Sequence, residues 1–159
     1  MAPQSALTGA QLIVIELFDG LSVGAHVFRD LGLPVQRVYF STCDGLVELV
    51  NYTNFPDAEN IGFIEQINVK LIKKIVEKDQ DNVFVLLGSV PTNSSTSYSK
   101  HFCRILLAVR MLVGDRVVAF CDGPPNDDAV SRELTRIMQS PGYQLCTRHW
   151  GVLNRPRRW

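Results

Sequence analysis

LFDGLSVGAHVFRDLG, residues 17–32, follows the apolar run QLIVIEL at 11–17 and decides how the chain is read. The run is hydrophobic without alternation, as a strand covered on both faces would be. Gly20 and Gly24 let the backbone turn and come close to a neighbour. SVGAHVFRDL (22–31) then puts Val23, Val27 and Leu31 on one helical stripe, and Gly32 and Pro34 stop the helix. Strand, glycine turn and helix make the opening of a βαβ unit. The turn is not GxGxxG and contains no GKS or GKT, which argues against a nucleotide phosphate loop.

The same alternation continues outward from this unit. VQRVYFS (35–41) reads as a strand and CDGLVELVNY (43–52) as a short helix interrupted by Gly45. NIGFIEQI (60–67) holds a short strand, and NVKLIKKIVEK (68–78) a helix with Leu71, Ile72, Ile75 and Val76 on one face and Asn68 as its N-cap. NVFVLLGSV (82–90) is the next buried strand, PTNSSTSYS (91–99) a polar loop, and KHFCRILLAVRML (100–112) a strongly apolar helix. DRVVAFCD (115–122) is a strand that ends at Gly123-Pro124-Pro125, and DDAVSRELTRIMQS (127–140) an amphipathic helix with acids at its start. YQLCTRHW (143–150) reads as a last strand, NRPRRW (154–159) as a basic tail, and residues 1–10 as a flexible start. Strands separated by helices predict an α/β fold: one domain over 1–159, a doubly wound, mostly parallel sheet in a three-layer sandwich. Ligands of such sheets lie beyond the C-terminal strand ends, so the informative positions follow Leu17, Ser41, Leu87 and Phe120.

Composition fits a soluble globular protein: 46% hydrophobic, 20% charged, with a formal net charge of zero that provides no field toward nucleic acid or anionic membranes. No apolar run nears the roughly 20 residues of a membrane span, and MAPQSALTGAQ has neither the basic flank nor the apolar core of a secretion signal. Cys43, Cys103, Cys121 and Cys146 form no CxxC pair and share no ligand spacing with His26, His101 or His149. They read as small buried hydrophobes in a reducing compartment, with zinc or a disulfide as the alternative, and no metal is expected.

Phe18, Gly20 and Gly24, with the pattern running from Val27 through Arg37, resemble the first motif of the DNA cytosine-5 methyltransferases, above all the de novo class and its plant domains-rearranged relatives. GSVPTN (88–93) is similar to that family's GSPCN loop with one residue inserted, and RHWGVLNRP (148–156) to the segment that follows its catalytic core. The resemblance covers nearly the whole chain and implies a Rossmann-like S-adenosylmethionine-methyltransferase fold without a target-recognition region. It also implies where the chemistry has departed. The ribose-binding acid falls on Thr42, with Asp44 two residues late, and the adenine-side aspartate falls on Phe63, with Glu65 the nearest acid. The Pro-Cys nucleophile becomes Pro91-Thr92 behind the inserted Val90, and a threonine hydroxyl supplies no thiolate to add to carbon 6 of cytosine. The Glu-Asn-Val acid falls on Cys121, one place before Asp122.

The resemblance therefore implies a pseudoenzyme in which Phe18, Gly20, Gly24 and Thr42 are vestiges of a cofactor site and S-adenosylmethionine binding is lost. The DNA methyltransferase 3-like branch of the family is catalytically silent and pairs with an active enzyme through a helix interface. Phe102, Arg104, Ile105 and Leu106, with Ile137 and Met138 on the next helix, match that interface, so helices 100–112 and 127–139 are expected to bind an active de novo DNA methyltransferase or a second copy. The competing reading makes the same side chains core residues of two sheet-covering helices. A regulatory role in DNA methylation and gene silencing, in the nucleus and in chromatin, is the expectation. A divergent S-adenosylmethionine-dependent methyltransferase and a self-associating chromatin scaffold stand as alternatives. Arg148, Arg155, Arg157 and Arg158 form a basic end whose contact with DNA is weak or indirect.

Overall fold

The computed structural model describes residues 9–18, 21–89, 97–122 and 128–140. Five strands and five helices alternate: β1 (Leu12–Leu17), α1 (Val23–Asp30), β2 (Val35–Ser41), α2 (Gly45–Asn54), β3 (Glu59–Asn60), α3 (Val69–Lys78), β4 (Val83–Ser89), α4 (Ser97–Val113), β5 (Val117–Asp122) and α5 (Asp128–Met138). The strands lie in the order β3-β2-β1-β4-β5, and every pairing among the described residues is parallel. The expected α/β sandwich is present, and the first hydrophobic run is its centre. β1 pairs with β2 on one edge and β4 on the other, so Ile13, Val14, Ile15 and Leu17 are fully buried.

The chain winds from β1 outward to β3, returns through α3 to β4, and continues to β5. Ile13, Ile15, Tyr39, Phe84 and Leu86 meet Ile72, Phe102, Leu106 and Ile137 of α3, α4 and α5 on one face. Val14, Val38 and Phe40 meet Ala25 and Phe28 of α1, and Phe55 after α2, on the other. The order reverses between β1 and β4, so the crevice of this fold opens at the C-terminal ends of those strands.

Several boundaries differ from the sequence reading, each for a local reason. Gly45 does not interrupt α2; it is the first helical residue, because Asp44 is the N-cap and accepts from the N–H of Leu46 at 2.8 Å and Val47 at 3.4 Å. β3 is two residues long, and the segment 61–67 that follows turns at Gly62, at φ +83°, and carries Ile61, Ile64 and Ile67 into the core. α4 begins at Ser97 instead of Lys100. Asn68 does cap α3, through Leu71 N–H at 3.1 Å. The stripe Val23, Val27 and Leu31 does not face the sheet. Ala25 is the buried residue of α1, and Gly24 packs directly on Leu87, so the helix approaches the sheet through its smallest side chains. Residues 1–8, most of the loop at 91–99, the strand read at 143–150 and the tail at 154–159 lie outside the described residues.

Gly88 shows the same close approach on the opposite face, where a Cβ would run into the Phe102 ring. That ring is fully buried and has no room to withdraw. Gly88→Ala is expected to lower stability by about 1–3 kcal/mol, and Phe102→Ala by about 3–5 kcal/mol, read from urea unfolding. Gly24→Ala meets the tip of a leucine that can change rotamer, and its loss is expected to be the smallest of the three.

Candidate functional site

The first strand end is built by strain and by a buried acid. Phe18 has φ +69° and Ser22 φ +52°, two non-glycine residues in the left-handed region within one turn. Such conformations cost about 1–3 kcal/mol each and concentrate at functional sites. Ser22 is the N-cap of α1 by position but makes no side-chain cap. Glu16 replaces it: its buried carboxylate reaches from β1 to accept the N–H of Ala25 at 2.7 Å. A negative group at a helix N-terminus also meets the positive end of the helix dipole. A lone acid inside QLIVIEL was the sequence signal for this role.

Phe18 turns its ring edge-on to Tyr98, with centroids 5.3 Å apart, which links the end of β1 to the first turn of α4. Phe18, Tyr98 and Phe63 are all partly buried against the larger core cluster. Phe63, which the resemblance set at the adenine side of a cofactor, packs inward. Glu65, two residues on, is exposed.

The second strand end is closed by hydrogen bonds within the chain. Asn60 accepts the N–H of Thr42 at 3.4 Å, donates to the Thr42 carbonyl at 3.2 Å and accepts the N–H of Gly62 at 3.0 Å. Ser41 donates to the Gly62 carbonyl at 2.7 Å. The Thr42 hydroxyl accepts the N–H of Asp44 at 3.1 Å, and Asp44 in turn caps α2. The nearest acid to the ribose position is thus a helix cap, and these residues do not make the carboxylate pair of hydrogen bonds that ribose hydroxyls need.

The remaining predicted positions divide clearly. Gly20 and Thr92 lie outside the described residues. Cys121 is partly buried against the core cluster, and Asp122 ends β5 opposite Ser89. Phe102, Ile105, Leu106 and Ile137, expected at an interface, are instead buried within the chain. The reason is that α4 packs against the sheet, α3 and α5 together, so apolar residues around its circumference are needed at home. Met138 packs partly buried on the same core. Arg104 is exposed and donates to the Ile64 carbonyl at 3.2 Å, tying α4 to the 61–67 turn. Among the described residues no His, Cys, Asp and Glu cluster suits a metal ion, and no helix is long and apolar enough to cross a membrane.

A second polar cluster escaped the sequence reading because its members lie far apart along the chain. Asp79, buried at the end of α3, accepts from Arg37 Nε at 3.1 Å and from the Tyr39 hydroxyl at 3.3 Å. Glu59 pairs with Lys78 at 2.8 Å and with Arg37 at 3.9 Å. Burial, then the charge of Asp79, raises the Tyr39 pKa well above its ordinary value.

No family model matches the chain, and no curated protein does. Among solved structures, it is similar to an E. coli prophage-encoded protein assigned as a DNA modification methyltransferase, with a TM-score of 0.54 at 19% identity. The match covers 81% of this chain and 37% of that one. The chain has a Rossmann-like, DNA methyltransferase-like fold.

Two measurements check the roles of these polar groups. Asp44→Ala is expected to cost about 1 kcal/mol and Asp44→Asn much less, as for a helix cap. Above about pH 10 the unfolded chain releases the Tyr39 proton while the folded chain keeps it, so stability falls as pH rises from there and is unaffected below. Tyr39→Phe is expected to remove that component of the alkaline decline in pH-dependent urea unfolding.

Proposed function

We propose that this chain is a catalytically silent member of the cytosine-5 methyltransferase lineage, resembling its de novo class, that binds and regulates an active DNA methyltransferase in the nucleus. The observation that carries the proposal is the β2 end, where the Thr42 hydroxyl and the Asp44 carboxylate serve the N-terminus of α2. Thr92 at the nucleophile position and Cys121 at the acid position support it from the sequence. Attack on carbon 6 of cytosine needs a thiolate, and threonine has none to give. What the fold then offers a partner is its outer surface, and the role proposed is to steady the active enzyme's cofactor-binding elements.

The burial of Phe102, Ile105, Leu106 and Ile137 removes them from that surface, and the proposal does not use them. A divergent S-adenosylmethionine-dependent methyltransferase is the second reading. The strained turn at Phe18 and Ser22 favours it, since strain of this kind persists where a site over-determines the backbone.

The chain is expected to give no heat with S-adenosylmethionine or its demethylated product, to form no covalent adduct with a fluorinated-cytosine oligonucleotide, and to raise the rate of an active de novo enzyme mixed with it. Micromolar cofactor binding, or a trapped adduct, sinks the silent reading in favour of the enzyme. An unchanged partner rate sinks the regulatory role.

A further inference from the structure

The layer formed by α1 and α2 is built inside out. The one buried residue of α1 is Ala25, and that of α2 is Asn51, an amide. Val23 and Val27 stand two residues to either side of Ala25, and Leu49 and Leu46 stand two and five residues before Asn51. At about 100° per residue, all four point away from the sheet. Their exposure agrees: Val23 50%, Val27 47%, Leu46 76% and Leu49 63%, with Val50 beside them at 40%. α3, on the opposite layer, is built the ordinary way, with Ile72, Ile75 and Val76 buried and Lys70, Lys73 and Lys74 outside. Phe55, at the end of α2, joins the two helices: its ring meets that of His26 at 4.6 Å and lies under the Arg29 guanidinium at 4.1 Å. Two neighbouring helices thus turn their apolar residues outward together.

We propose that the outer face of α1 and α2 is the interface of a homodimer, in which each copy covers the same five side chains of the other. Five valines and leucines at these exposures present on the order of 450 Å² of apolar surface. A standard interface takes about 800 Å² from each partner and is a little over half apolar, so the patch has the apolar area that a stable dimer needs. A two-fold axis pairs a surface with itself, and one such patch is then enough. Two helices of one copy laid on two of the other pack as ridges into grooves. The nearby charges favour this occupant over a lipid surface. Lipid recognition uses Lys and Arg flanking the apolar stripe, whereas α2 carries neither and has Asp44 and Glu48 at its start. Arg29 of α1 is engaged over the Phe55 ring. The same lack of cations disfavours nucleic acid. The interface is on the layer opposite α4 and α5, and the inference is independent of the regulatory reading above.

Analytical sedimentation of the full chain at about 10–100 µM tests the proposal, and a dimer is expected. Leu46→Glu and Leu49→Lys each place a charge in the apolar contact and are expected to raise the dimer Kd by about tenfold or more. The acid of Leu46→Glu falls in the first turn of α2, where the helix dipole favours it, so the helix itself is spared. Urea unfolding verifies that the variants fold, and Val27→Asp on α1 replaces either one that does not. Met111→Lys, at a site 79% exposed on α4, is expected to leave the dimer intact. A monomer at every concentration, an oligomer indifferent to both charges on α2, or a dimer dispersed by Met111→Lys overturns the proposal.

Discussion

A parallel sheet must be covered on both faces, and the rest of this molecule follows from that constraint. Each strand is joined to the next by a crossover, and each crossover helix has to lie on one face or the other. β1 satisfies the requirement completely: paired on both edges and packed on both faces, it contributes four fully buried side chains. Glycine makes the covering close. Gly24 admits Leu87 on one face and Gly88 admits Phe102 on the other, so both helix layers are set by close contacts, the one at Gly88 leaving no room for a methyl group. Side chains near these contacts cannot serve two purposes. Phe102 fills the space over Gly88, and that is why it is unavailable to a partner.

The same economy governs the polar groups at the strand ends. Backbone N–H groups at a helix start need acceptors, and here side chains at the strand ends supply them. Glu16 serves α1 and Asp44 serves α2. Asn60 holds Thr42 and Gly62 together, fixing the loop after β2 to the loop after β3. The strained turn at Phe18 and Ser22 thus lies beside a carboxylate engaged by α1, while the buried Ser22 hydroxyl makes no hydrogen bond.

Much of this architecture was legible in the sequence, because unbroken apolar runs and helical stripes report which elements exist. β1, β2, β4 and β5 fall within a few residues of the runs that predicted them. Periodicity also showed that α1 has an apolar stripe, but it could not say which way the stripe points. The sheet-facing side of α1 is made by Gly24 and Ala25, whose contribution is closeness, with the Phe28 ring packed beside them. The exposed Val23, Val27 and Leu31 are more hydrophobic than Gly24 and Ala25, which face the sheet. The Asp79 cluster was illegible for another reason. Arg37, Tyr39, Glu59 and Asp79 meet only after β2, β3 and α3 have been assembled.

α4 and α1 carry the same ambiguity to opposite ends. Both present apolar residues on more than one side, and from sequence either could be a partner surface. α4 is packed by the sheet, α3 and α5, so most of its hydrophobicity is consumed within the chain and only Met111 and Leu112 near its end stay exposed. α1 has no described neighbour along the flank that adjoins β5, and its surplus remains exposed beside Val118 and Phe120. A hydrophobic stripe therefore marks a surface only after the helices around it have been counted. Among the described residues that count leaves the stripe of α1 more exposed than the body of α4.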